Sequence, residues 1–491
     1  MSTITDSEDP AAIAALDGTE SFLERVLAYP RPAAVWTVVA LALFALEAGA
    51  VAHFVATLLV DLVRALPGTY DPAAFSRLAS ATAQVPTLLS RETIPNAGYW
   101  NGRSFVGTFL QLPPHLAWFL RVGLVYVYSF AFVAWIWVGF DRYRRYYRAA
   151  DWSPRDDVID RFRNHYWGIF GLVVVFMFVV MAVFAPALGP TTVEKNMQNP
   201  YGHTITHWDA EQNEPTQVTV GQANRASQSR GTRTNNVAPL SYDQFGRYHP
   251  FGTLPTGRDL FTFIAAGARI SLVIGLLSVS LSIAIASTLA LLSAYYKGAV
   301  DLSFVLLSDA VMALPQLLLL IMLTVVLSGT WIGNLYNGAF VLALIFAGTG
   351  WPYMWRSFRG PALQVAQREW VDAARSFGQR PTAIMRKHML PYITGYVLIY
   401  GSMTLGGAII AIAGLSYLGL GVNPPTPEWG RAVNAGQPYV DTVSWHISLI
   451  PGVLITLVVT GFNALGDGVR DAIDPESDSA AGEAGGRGGG A

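Results

Sequence analysis

Eight apolar runs set the plan of this chain, at about 33–60, 115–140, 167–187, 263–296, 300–328, 339–354, 392–420 and 444–465. Most are long enough to cross a bilayer, which takes about 20 residues of helix. The pattern therefore predicts an all-α polytopic membrane protein of eight spans. Lys297-Gly298-Ala299 leaves room only for a tight helical hairpin between the fourth and fifth spans. Pro315 is expected to kink the fifth, since proline removes one backbone bond and its ring displaces the preceding turn. Glycines and prolines from Gly419 to Gly430 make the end of the seventh span irregular.

A polar island, Gly360 to Pro391, interrupts the apolar second half. Gly360-Pro361 is expected to open a helix, with proline at the first position where its missing N–H costs nothing. Leu363, Ala366, Trp370, Ala373, Ala374 and Phe377 recur at helical spacing and predict one narrow apolar face. Gly378 ends this helix. A second begins at Pro381 and should stop before Pro391, because the residue preceding a proline is pushed out of the helical region. The result is a helix-turn-helix hairpin too short and too polar to span a membrane.

Composition agrees with the pattern: 52% hydrophobic residues, 13% charged and a mean hydropathy of +0.37. The net charge of −1 and the lack of any aromatic-interleaved basic stretch give no footprint for a nucleic-acid partner. Cysteine is absent, which excludes disulfides, thiolate metal sites and cysteine nucleophiles. The only lysines are Lys195, Lys297 and Lys387, and none completes a phosphate-binding P-loop. ATP-driven work would need a partner.

Charge orients the spans. Asp141 to His165 carries seven arginines among five aspartates and is placed on the cytoplasmic side. Counting spans from there puts Gly360–Pro391 on the same side, where Arg356, Arg359, Arg368, Arg375, Arg380, Arg386 and Lys387 outnumber Glu369 and Asp372. Both termini are then cytoplasmic, with loops 61–114, 188–262 and 421–443 outside. The expected divisions are a tail at 1–32 with a short helix over 11–27, an accessory two-span hairpin at 33–140, a basic linker at 141–165, a core at 166–475 and a low-complexity tail at 476–491.

Some polar residues invite chemical readings. Glu47 and His53 in the first run could form a proton relay, which would suit a proton-coupled secondary transporter. The structural alternative has Glu47 facing a neighbouring helix and Arg121 snorkelling from a helix end. The core spans offer no second relay group and no inverted repeat of the kind such transporters use. His203, His207, Asp209 and Glu211 could be drawn as a metal-hydrolase site, but without a helical pattern or a base between the histidines a solvated loop is preferred. No catalytic, cofactor or metal residues are assigned.

At the island the sequence resembles the EAA loop of ATP-binding-cassette importer permeases. The matching residues are Asp372, Ala373, Ala374, Gly378, His388, Leu390 and Pro391, with Asp where the family has Glu. His249 to Leu272, HPFGTLPTGRDLFTFIAAGARISL, and the stretches Leu415–Gly430 and Phe462–Pro475 resemble the dipeptide, oligopeptide and nickel permeases, specifically their second permease subunit. The resemblance spans about 160–475. It implies a six-span type I core to which residues before 150 add two spans, an importer in a prokaryotic cell membrane, and alternating access driven from outside this chain. The implied partners are a second permease, two cytoplasmic ATPases that hold ATP and magnesium, and an external substrate-binding protein. The solute would be a di- or oligopeptide, with nickel or another small solute as an alternative. Glu369, Asp372, Ala373, Ala374, Gly378, His388, Leu390 and Pro391 would couple to the ATPases. Gly257, Arg258, Asp259, Glu428, Trp429 and Gly430 stand between two roles: an external gate or binding-protein contact, or a helix entry and a rigid turn with an aromatic interface anchor.

Overall fold

A computed structural model describes residues 22–65, 77–78, 80–82, 85, 87, 90–148 and 153–473. The expected helix over 11–27 lies mostly outside them, and the tail 476–491 wholly so. The chain divides into two compact units, 1–156 and 157–491. Among the described residues, six helices are long and apolar enough to cross a membrane, or up to eight if each of two sharply bent pairs is one span.

In the first unit, α1 (Phe22–Ala28) and α2 (Pro30–Leu46) meet at 94°. Pro30 begins α2, and the Tyr147 hydroxyl fixes the corner by donating to the Tyr29 carbonyl at 2.7 Å and accepting the Ala33 N–H at 3.0 Å. The apolar run at 33–60 is therefore not one helix. It breaks at Glu47, a buried residue with non-helical backbone, and resumes as α3 (Ala48–Ala65). Then comes α4 (Pro114–Arg142), preceded by a two-residue hairpin of β1 (Tyr99–Trp100) and β2 (Phe105–Val106). Trp36 of α2 and Trp135 of α4 stack at 4.4 Å, and each indole N–H donates to the other's backbone carbonyl. This reciprocal clasp satisfies both polar handles while half-burying the rings. Arg121 does not snorkel. It is 0% exposed and donates to the Ile94 carbonyl and the Asn96 side chain, both at 2.8 Å, so the loop supplies acceptors that a route to solvent would otherwise provide.

α5 (Pro154–Asn164) leads into the second unit. Its spans are α6 (Tyr166–Val183), α8 (Leu260–Tyr296), α9 (Gly298–Met312) with α10 (Gln316–Ser328), α11 (Ala339–Val365), α13 (Leu390–Tyr417) and α15 (His446–Ile473). Shorter helices are α7 (Val220–Ala226) between α6 and α8, α12 (Glu369–Ser376) after α11, and α14 (Trp429–Gly436) before α15. α8 is the axis: its 37 residues give a length of about 55 Å, and it packs on α6, α11 and α13. Gly168 and Gly171 of α6 meet Gly461, Ala464 and Gly468 of α15 at backbone distance, the small-residue contact by which helices associate in lipid.

The proline expectations divide. Pro315 does more than kink: α9 and α10 bend by 84° across Ala313–Pro315. Pro361 does not open a helix. It lies inside α11, as does Pro352. Met354, Trp355, Phe358, Ala362 and Val365 form a buried stripe that continues past Pro361. Burial of about 1.5–3 kcal/mol for each large side chain outweighs the lost backbone bond. Nor does the second island helix stop before Pro391. A turn at Pro381–Ile384 and a π-helical turn at Met385–Met389 run into α13, where Pro391 occupies the first turn and its missing N–H is tolerated.

The stretch 188–262 is more ordered than the solvated loop expected. It holds a six-residue-a-side hairpin of β3 (Thr204–Asp209) and β4 (Glu214–Thr219), then α7, then a short pair of β5 (Ser241–Tyr242) and β6 (Tyr248–His249). This subdomain caps the N-terminal end of α8.

Candidate functional site

The motif residues gather at the two ends of α8. At its C-terminal end stands the island. α11 ends at Val365, the chain turns through Ala366–Arg368, and α12 starts with Glu369 and Asp372 in its first turn, where acids suit the helix dipole. The turn rotates the apolar face relative to the expected one. Val371 and Ala374 point inward with Ala362, Val365 and Ala366, while Trp370, Ala373 and Phe377 face out. Gly378 at φ +69° closes α12 in a Schellman motif: its N–H reaches the Arg375 carbonyl at 2.9 Å and the Gln379 N–H reaches that of Ala374 at 3.2 Å. Among the described residues, sequence neighbours aside, no atom lies within 4 Å of where a Cβ on Gly378 would sit, so glycine is required there by its backbone angle and not by crowding.

The hairpin is braced from below. Arg375 lies 4.5 Å over the Tyr295 ring and donates to the Tyr295 carbonyl at the end of α8. Trp370 stacks on Tyr392 of α13 at 5.3 Å, and His388 reaches Gln379 at 3.1 Å. Arg359 of α11 is paired with Asp301 of α9 through both carboxylate oxygens. Met389 is buried, Leu390 half-buried and Pro391 exposed where the chain enters α13. Glu369 and Asp372 are exposed, the latter 3.5 Å from Arg375. Phe377 is 86% exposed at the tip, a large apolar side chain held out by a rigid turn.

At the other end of α8 the polar residues are buried. Asp259 caps α8, accepting the Thr262 N–H at 2.6 Å, and its own backbone is held by both ends of the Asn196 amide. His249 sits between two carboxylates, Nδ1 2.8 Å from Asp259 and Nε2 3.5 Å from Asp243. Burial would lower its pKa, but the two aspartates together raise it above the ordinary histidine value. Asp243, also buried, is nonetheless held well below the carboxylate range by His249 and by Arg247 at 2.7 Å. Gly257, at φ +75°, leaves no room for a side chain, since a Cβ would lie 1.6 Å from the Asn224 carbonyl oxygen. Arg258 contributes its backbone carbonyl to the turn, accepting from Leu254 at 2.9 Å.

Trp429 is fully buried, not an interface anchor: its indole donates to the Ile264 carbonyl of α8 at 2.7 Å and its ring meets Phe178 edge-on. Gly430 lets α14 press against the Ala413 carbonyl. Glu428, 0% exposed, caps α14 through the Arg431 N–H, and burial pushes its pKa up to about 7. Of the two roles open to these six residues, Gly257, Arg258 and Asp259 thus serve the entry to α8, and Glu428, Trp429 and Gly430 serve the internal seam between α8, α13 and α14.

The histidines of the 188–262 region do not converge. His203 faces Glu194 at 3.3 Å, while His207 lies edge-on to Phe245. Glu47 and His53 belong to the first unit. Sequence reasoning missed Asp243 and Arg247, which Asp-x-x-x-Arg-x-His spacing before the span could have flagged. It also missed the outward Phe377.

The second unit thus joins a long axial helix to a buried cap at one end and a braced projecting hairpin at the other. Residues 282–478 match the family of the binding-protein-dependent transport system inner membrane component, and 153–213 match the N-terminal TM domain of oligopeptide transport permease C. The chain is 31% identical over 320 residues to the oligopeptide transport system permease protein OppC of Bacillus subtilis, covering 65% of this chain and 89% of that one. It is 30% identical over 329 residues to the glutathione transport system permease protein GsiD of Escherichia coli (66% and 91%). It is 29% identical over 329 residues to the dipeptide transport system permease protein DppC of Alkalihalophilus pseudofirmus (67% and 91%). The chain belongs to the binding-protein-dependent transport permease family, as the sequence resemblance implies.

Proposed function

We infer that this chain is one permease subunit of an ATP-driven importer of di- or oligopeptides in a prokaryotic cell membrane. A second permease completes the pathway, two cytoplasmic ATPases carry ATP and magnesium, and an external binding protein delivers solute to the side of 188–262. Among the described residues none is assigned a catalytic, metal-binding or cofactor-binding role. The observation that carries this reading is the hairpin tip. Phe377 and Gly378 project from a brace that ties them to α8 and α13, while the chain itself leaves the space around Gly378 open.

A helix presenting an apolar anchor is a recurring docking mode. Closure of the ATPases would push Asp372, Ala373 and Phe377, with Ala374 buried beneath them. Arg375 on Tyr295, and the run of Met389, Leu390 and Pro391 into α13, would carry the displacement into the spans. Work then enters α8 and α13 at one end, and alternating access follows as these helices rock. The solute class is supported by the relatives, whose substrates are a dipeptide, oligopeptides and glutathione.

The test uses the assembled transporter in vesicles. Gly378→Trp and Asp372→Arg should abolish ATP-dependent dipeptide uptake while the membrane subunits remain folded and assembled. Full uptake with normal solute-stimulated ATP hydrolysis in both variants would sink the reading.

A further inference from the structure

Between α8, α10, α11 and α13 lies an open cavity of about 350 Å³, with Gln316, Leu317 and Tyr353 exposed at its mouth, at the small end of the range of about 300–1,000 Å³ for small-molecule sites. Its wall is mostly apolar, yet Ser278 and Ser282 of α8, Gln316 of α10, Tyr353 of α11 and Thr404 of α13 line it. Five hydroxyl or amide groups from four helices meet there, in segments that otherwise read as membrane spans. Polar side chains in such segments face a bundle interior or a water-filled path, because lipid cannot satisfy them.

Their partners leave capacity for a ligand. Ser278 donates to the Gly275 carbonyl at 2.9 Å and Ser282 faces the Ala347 carbonyl at 3.5 Å, so both keep acceptor lone pairs. Among the described residues, the side chains of Gln316, Tyr353 and Thr404 make no hydrogen bond. Gln316 also opens α10 directly after the 84° break, where the first backbone N–H groups have no partner inside the helix. No charged side chain lines the cavity. One turn further along α11, Arg356 is paired with Asp309 of α9, so its charge is already answered.

We propose that this cavity is a solute-binding site on the transport path, selective for the uncharged part of a peptide-like solute. Amide groups of the solute exchange hydrogen bonds with the hydroxyls and Gln316. Small apolar side chains rest on Val279, Leu320 and Phe346. Net charge is disfavoured, because no lining group compensates it. This deepens the peptide-permease reading and rests on it.

The absence of cysteine allows a direct test in the assembled transporter. Ser282→Cys and Thr404→Cys are labelled with a water-soluble maleimide, with Leu240→Cys, exposed in the polar 188–262 region away from the cavity, as a control. Trialanine at ten times its half-saturating concentration should slow labelling of the two cavity cysteines about tenfold, in proportion to the unoccupied fraction. The control should be unchanged. In parallel, Ser282→Asp should shift the uptake ratio of trialanine to trilysine toward trilysine by about tenfold, the effect of one added charge contact. The binding-protein step is common to both transporters, so this ratio reads the membrane step.

No ATP-dependent trialanine uptake by the unsubstituted transporter would overturn the permease reading and this inference with it. Normal uptake with unprotected cysteines and an unchanged ratio would overturn this inference alone. Reaction of the cavity cysteines only with a bilayer-soluble maleimide, unaffected by trialanine, would assign the cavity to a lipid chain and overturn it equally.

Discussion

The two ends of α8 carry polar motif residues in opposite states. At the Asp259 end, His249, Asp243, Asp259, Glu428 and Trp429 are buried and engage their own chain. At the Tyr295 end, Glu369, Asp372, Ala373 and Phe377 are exposed, and the groups that brace them, Arg375, Tyr295, Trp370 and Tyr392, are half-buried or exposed over a buried layer of Val371, Ala374, Ile384 and Met389. Both stretches look alike in the sequence, as compact polar motifs flanking apolar runs. Their energetics differ: one end is built for its own stability, and the other is built to be rigid without being covered.

Substitutions should therefore separate the ends cleanly. The largest effect on stability is expected for His249→Ala, which leaves Asp243 and Asp259 buried with one shared partner removed, at a cost of about 3–5 kcal/mol. Thermal unfolding of the purified protein in detergent should fall by many degrees, and comparable stability to the parent would contradict the buried latch. Trp429→Ala removes a fully buried ring and its bond to Ile264, with an expected loss of about 3–5 kcal/mol in the same assay.

Glu428 gives a pH signature of about 3 kcal/mol, from a pKa raised from 4.5 to about 7. Its folded pKa lies above the unfolded one, so the folded state binds the extra proton between them. Stability at this site is highest below pH 4.5 and falls as pH rises to about 7. Glu428→Gln keeps the acceptor for the Arg431 N–H and should flatten that fall. His249 shares the sign: its raised pKa contributes stability at low pH that is lost as pH climbs through the folded value, and His249→Ala removes that part of the profile.

How far the sequence could be read follows the same division. The island's spacing to Gly378, and the place of Asp259 at a helix entry, were legible because both depend on local backbone requirements, a left-handed C-cap and a side-chain N-cap. The continuity of α11 through Pro361 and of the chain from Pro381 into α13 was not. Local proline rules compete there with the burial of Phe358, Ala362, Ile384 and Met389, and burial dominates. Arg121 and Trp429 were misread as reaching an interface because their partners, Ile94 with Asn96 and Ile264, lie 25 or more residues away. The cavity lined by Ser278, Gln316, Tyr353 and Thr404 draws on four helices, and only isolated hydroxyls in apolar runs and the break at Pro315 hinted at it.

The smallest stability effect is expected at the tip. Phe377→Ala removes an exposed side chain and should shift unfolding by no more than about 0.5 kcal/mol, yet lower ATP-coupled uptake several-fold if the ring docks into a partner. The most direct test places a photoreactive benzoylphenylalanine at position 377 in the assembled transporter. The account predicts an adduct with a P-loop ATPase subunit, formed in the intact complex and lost when that subunit is stripped away. Adducts only with lipid or with this chain, in an actively transporting preparation, would contradict it.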